Sequence, residues 1–100
     1  MNMQQMVQAM QKMQRQYEKE HKILEETEFS YTANGAVEIV IKGDMELVSI
    51  KILDKSILNE DDSDMLEDMI KIAYDHVRGE ILAKEDELAE KFKNVGGFGF

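Results

Sequence analysis

The chain has no cysteine, no proline and no tryptophan among its 100 residues. Without cysteine there can be no disulfide framework, no thiolate zinc site and no cysteine nucleophile. No apolar run approaches the ~18 residues that a membrane-spanning helix needs. The start of the chain lacks a basic region followed by an apolar stretch, so no secretory leader is expected. Bases are also scarce, with 12 Lys and Arg against 21 Asp and Glu and a formal charge of −9. That balance disfavours attraction to nucleic acid or anionic lipid over the whole surface and leaves room only for a local patch. The length fits one domain, and a soluble cytoplasmic protein is expected, with no membrane partner, small-molecule substrate or cofactor.

The charge is unevenly distributed. Residues 1–26 are neutral, residues 27–53 carry −2, and residues 54–93 carry −7. The acidity therefore belongs to the C-terminal half.

The opening segment, Asn2 to Glu26, is built of good helix formers and contains neither Gly nor Pro. Its larger apolar residues, Met3, Met6, Met10, Met13, Tyr17 and Leu24, follow a heptad seam in which Glu20 fills the missing position. Such a seam favours packing against another helix. Thioethers at this spacing are also soft-metal ligands, but the periodicity is what helix packing produces, and methionine is an adaptable packing residue.

The period then changes. Thr27 to Ala33 alternates, and Asn34-Gly35 signals a hairpin whose type I′ turn needs positive φ at both central residues. Ala36 to Lys42 is a second strand. Gly43-Asp44 reads as a II′ turn by its leading glycine, and Met45 to Leu53 as a third strand. Two-residue turns place Thr32 beside Val37, Ser30 beside Ile39, Val48 beside Ile39 and Ile50 beside Val37. One face then collects Val37, Ile39, Ile41, Val48, Ile50 and Ile52. The other carries Phe29, Tyr31, Val40, Leu47 and Leu53 among Glu38, Ser49 and Lys51. A sheet apolar on both faces wants cover on both, and together with the Met6, Met10 and Met13 seam this predicts a homodimer.

An acidic loop, Asp54 to Ser63, leads to a second helix capped by one of Asp61 to Ser63 and running to about Lys93, roughly 48 Å long. Its apolar positions are Leu66, Ile70, Ala73, Val77, Ile81, Leu88 and Phe92, with Lys84 in one slot. Gly79 interrupts it and predicts a bend or a close helix contact. Asn94 to Phe100 reads as a flexible Gly-rich tail following a single domain over 1–93.

Nothing here assembles a catalytic set. Glu60, Asp61, Asp62 and Asp64 superficially resemble a calcium loop but lack its central Gly and distal Glu; helix capping explains them. His21 and His76 have no spaced nucleophile or second His, and no glycine motif links a strand to a helix to cradle phosphate. No enzyme and no metal site are expected. The informative charges are Lys12, Arg15, Lys19 and Lys22, which lie nearly opposite the methionine seam and form a continuous basic stripe on a neutral helix. A solvated face laced with i,i+4 ion pairs is the plain alternative to phosphate contact. Lys84, Lys91 and Lys93 form a looser group among Glu85, Glu87 and Glu90.

Taken in order, these segments resemble the YbaB/EbfC family of bacterial nucleoid-associated proteins. The similarity is carried by Met3-Gln4-Gln5-Met6 through Gln11-Lys12-Met13-Gln14, by Asn34-Gly35-Ala36-Val37-Glu38-Ile39 with Gly43, and by Asp54-Lys55-Ser56-Ile57-Leu58. Asp61-Asp62, Met65-Leu66-Glu67-Asp68-Met69-Ile70 and the Gly-rich end complete it. The resemblance implies an α+β protomer of order α-β-β-β-α, a tweezer-like homodimer, a place in the bacterial cytoplasm and nucleoid, and non-catalytic binding of duplex DNA. With the stripe as phosphate contact and no residue placed by the sequence to read base edges, weak or shape-based preference is expected. The rival reading is an acidic protein-interaction module that does not itself bind DNA.

Overall fold

The structure, a computed structural model, describes residues 2–93; the expected tail, Asn94 to Phe100, lies outside the described residues. Helix α1 spans Met3–Glu26, strands β1, β2 and β3 span Glu28–Ala33, Val37–Lys42 and Leu47–Ile52, and helix α2 spans Ser63–Phe92. The protomer is thus the expected α-β-β-β-α arrangement, with an antiparallel sheet in the order β1-β2-β3. Helix α1 starts at a capping box: the Asn2 side chain accepts from the Gln5 amide at 2.8 Å, and the Gln5 side chain accepts from the Asn2 amide. A cap of this kind contributes about 1 kcal/mol.

The strand register differs from the two-residue turns of the sequence reading. Asn34 and Gly35 do adopt positive φ, 50° and 68°, and the Ala36 amide closes the turn onto the Ala33 carbonyl. Ala36, however, stays out of the β1–β2 ladder, and its carbonyl accepts from the Leu53 and Asp54 amides on the far side. This one extra residue pairs Ala33 with Val37, Tyr31 with Ile39 and Phe29 with Ile41. A shift of one residue moves every β1 side chain to the opposite face. Phe29, Tyr31 and Ala33 therefore join Val37, Ile39 and Ile41 on the inner face. Among the paired positions the outer face holds Glu28, Ser30, Thr32, Glu38, Lys42, Ser49 and Lys51, with Val40 the one large apolar side chain. The sheet is not apolar on both faces, so that argument for a second layer falls.

The second turn is also longer than expected. Positive φ falls on Met45, at 72°, and not on Gly43. A register irregularity at Val40/Ile41 then leaves Val48 between ladder pairs and sets Ile50 opposite Ile39 and Ile52 opposite Val37. Gly43 has a different task. A Cβ there would lie 1.9 Å from the Leu24 carbonyl oxygen and 3.2 Å from the Glu25 Cα. The glycine lets the β2–β3 turn press against the end of α1, where its amide donates to the Thr27 carbonyl at 2.9 Å.

Helix α2 covers β1 and β2. Met69, Ala73, Val77 and Ile81 enter the core with Phe29, Ala33, Val37, Ile39 and Ile41, while Leu66, Ile70 and Ile52 pack at its margin. The helix runs without interruption through Gly79, where an added Cβ would meet nothing within 4 Å. Within the protomer the residue makes no close contact. Strand β3 lies beyond this cover, and Leu47, Val48 and Ile50 remain about half exposed at the sheet edge.

Candidate nucleic-acid interface

Past the sheet, the last turns of α2 run beside the end of α1. Tyr17 meets Phe92 edge-on at 5.5 Å between ring centroids. Lys91 Nζ donates to Glu20 Oε1 at 2.7 Å, which explains the acid inside the methionine seam. The other oxygen of Glu20 is buried without a hydrogen-bond partner, so losing Lys91 would remove the one bond this partly exposed carboxylate makes. Because Phe92, the last residue of α2, faces Tyr17, α1 continues alone among the described residues from Gln16 back to Met3. That free arm is about 20 Å long at ~1.5 Å per residue. No α1 residue is buried, and the fold is correspondingly elongated, 70 × 17 × 16 Å.

The arm differs chemically from the remainder of the chain. Residues 1–17 contain no acid and carry Lys12 and Arg15. Lys12, Arg15, Lys19 and Lys22 are all exposed. None takes part in an ion pair among the described residues, although Glu18 and Lys22 stand at i,i+4 spacing. The ion pairs that do form lie elsewhere. On α1, His21 meets Glu25 at 2.8 Å. On α2 and at its C-cap, Lys84 is held by Glu87, Lys93 by Glu90, and Lys91 by Glu20. The α2 lysine group is therefore neutralised by neighbouring carboxylates, whereas the α1 stripe presents four uncompensated charges in one line.

The remaining candidates are placed structurally. Val37, Ile39 and Ile41 are core residues, Ile52 packs against the core, and Val48 and Ile50 are exposed at the β3 edge. Met6 is 51% and Met10 40% exposed, and Met13 is half-buried. His21 stacks on Tyr17, and His76 lies 3.7 Å from the Tyr31 ring, nearly parallel to it. Of the acidic loop, Asp62 is the residue before α2, but its carboxylate makes no capping bond; it accepts from Asn59 instead. Asp54 accepts from the Ser56 hydroxyl and amide, which hold its pKa below the ordinary value. Among the described residues no three potential metal ligands converge, and no helix is long and apolar enough to cross a membrane. An open groove of about 490 Å³ lies between the helices over Leu24, Phe29 and Leu88. Its charged rim consists of the Lys91–Glu20 and Lys84–Glu87 pairs, so it offers no free catalytic group.

The chain matches the sequence profile of the YbaB/EbfC DNA-binding family over residues 1–96. It is 35% identical over 97 residues to a nucleoid-associated protein of Clostridium kluyveri, covering 96% of this chain and 82% of that one. A nucleoid-associated protein of Ligilactobacillus salivarius is 33% identical over 99 residues, 97% of this chain and 94% of the relative. One from Finegoldia magna is 44% identical over 79 residues, 75% and 69% of the two chains.

Proposed function

The chain belongs to the YbaB/EbfC DNA-binding family, and on that footing we propose that it is a non-enzymatic, nucleoid-associated protein that binds duplex DNA as a homodimer. Residues 1–93 act as its single functional domain, in the bacterial cytoplasm and nucleoid. The observation that carries this reading is the stripe: Lys12, Arg15, Lys19 and Lys22 are exposed, unpaired and on a helix that projects from a chain otherwise rich in acid. These four side chains contact phosphate. Affinity comes mainly from those contacts, so sequence preference is weak or shape-based.

The dimer is supported by the apolar residues left uncovered at the β3 edge, Leu47, Val48 and Ile50, and by the methionines of the arm. A β-strand edge with apolar side chains invites a partner. Sedimentation at micromolar concentration should give twice the 11.6 kDa of one chain; a stable monomer would refute the dimer.

A dimer offers two stripes. If about six bases meet phosphate, the logarithm of affinity should fall with the logarithm of salt with a slope of about −5. Replacing Lys12, Arg15, Lys19 and Lys22 together with Gln should abolish duplex binding while leaving sedimentation unchanged. Undiminished affinity in that variant would sink the assignment and favour recruitment of a protein partner by the acidic α2.

A further inference from the structure

We propose that Gln4 and Gln8 read adenine edges in the major groove and supply whatever sequence preference this protein has. The inference rests on the phosphate-binding reading of the stripe and extends it toward the tip of α1. Gln4, Gln8, Lys12, Arg15, Lys19 and Lys22 are separated by four, four, three, four and three residues. At 100° per residue that spacing keeps all six within an arc of about 80°, one stripe along the helix. The basic stripe therefore continues into two neutral amides, with no acid anywhere on the arm.

Three observations single out these two among the arm's glutamines. Gln5 is committed to the Asn2 capping box through its own side chain, so it is not free to reach a base. Gln14 and Gln16 lie away from the line by helical spacing, and Gln11, which shares its face, stands beside Lys12 at the level of the bases and not at the tip. Gln4 and Gln8 are exposed and have no hydrogen-bond partner among the described residues. A glutamine amide carries a donor and an acceptor side by side and can bond adenine N6 and N7 together, an arrangement unique to A·T pairs in the major groove.

The arm has the shape this requires. With side chains a helix is about 10–12 Å wide, and the major groove is about 12 Å wide. Among the described residues the stripe face of the arm meets no other element, and the methionine seam offered to the dimer lies on the opposite face. A straight helix with its tip in the groove must cross the phosphate ridge further along. The order of the line fits that path, with amides at the tip and cations at the crossing. Gln4 and Gln8 are about 6 Å apart along the helix, close to two base steps at ~3.4 Å each. The readout is thus two A·T pairs two steps apart.

The test is selection of binding sites from random duplexes by the intact protein and by a Gln4→Ala/Gln8→Ala variant. Alanine raises helix propensity, so the arm stays helical, and circular dichroism checks it. The native protein should enrich adenines at that spacing. Duplexes with 7-deazaadenine at those positions, which lack the N7 acceptor, should bind it about 5- to 100-fold more weakly. The variant should lose both the enrichment and the sensitivity to deazaadenine while keeping a salt slope near −5. Salt-dependent binding with no adenine enrichment, or the same enrichment by the variant, overturns the inference and leaves the phosphate contact standing. Failure of the native protein to bind any duplex at low salt overturns both.

Discussion

The two helices of this protein are built for opposite ends. Helix α2 buries Met69, Ala73, Val77, Ile81 and Phe92 and surrounds them with acids, most of its distal lysines already paired. Helix α1 has no fully buried residue, carries no acid before Glu18, and leaves its four bases without an ion pair among the described residues. Both are long, but one is held by tertiary packing and the other by propensity, its cap and a short contact at its root. Under the proposed function, the difference separates the residues that maintain the fold from those that meet DNA. It also resolves the conflict between a charge of −9 and binding to a polyanion. The repulsive charge sits on the packed helix, and the attractive charge sits on the free one.

The sharpest way to test this separation is to move charge on each helix in turn. Four Gln substitutions on the α1 stripe should lower duplex affinity by more than about a hundredfold at low salt. Four on α2, at Glu67, Asp68, Glu85 and Asp86, should leave it equal or higher; the readout is a salt-titrated binding isotherm for each. The next effect falls on the root of α1. Gly43→Ala places a methyl group against backbone atoms of Leu24 and Glu25, which cannot rotate away. We expect a loss of about 3 kcal/mol in urea unfolding. On α2, by contrast, Gly79→Ala meets open space in a continuous helix and should stabilise by about 0.5–1 kcal/mol, raising Tm by a few degrees. The smallest effect belongs to the loop that precedes α2. The Ser56 hydroxyl and then its amide depress the Asp54 pKa below 3.8. A group depressed in the folded state contributes stability above its unfolded pKa and loses it as pH falls through the folded value. Asp54→Asn should therefore remove a small part of the stability difference between neutral pH and pH below 3.8. Denaturation at the two ends of that range measures it.

The element order was legible because each segment declares its own period: methionines at helical spacing, alternation in the strands, and Asn34-Gly35 between two of them. The register was not legible. Nothing in the composition of Ala36 says that its carbonyl will turn toward Leu53 and Asp54 and leave the β1 ladder, yet that single choice decides which face Phe29 and Tyr31 occupy. At Gly43 the turn signal and the physical reason for the glycine differ. Its small size answers a contact with Leu24, nineteen positions earlier, which local turn chemistry does not reveal. Glu20 in the seam likewise answers a residue far along the chain, Lys91, which donates to it. The stripe itself follows from spacing, but its freedom does not. Glu18 and Lys22 are spaced to pair, and only the structure shows them apart.

The contact at Gly43 also fixes an angle. Helix α1 is gripped at two levels, near Leu24 by the β2–β3 turn and near Tyr17 by Phe92, about 10 Å apart along its axis. The tip at Met3 lies about 21 Å beyond the upper grip. A lever of those proportions magnifies a sideways slip at the lower grip about twofold at the tip. A glycine that never approaches the helix's outer end therefore sets its aim. Any change that loosens the turn by an ångström swings the arm through more than half of one base step.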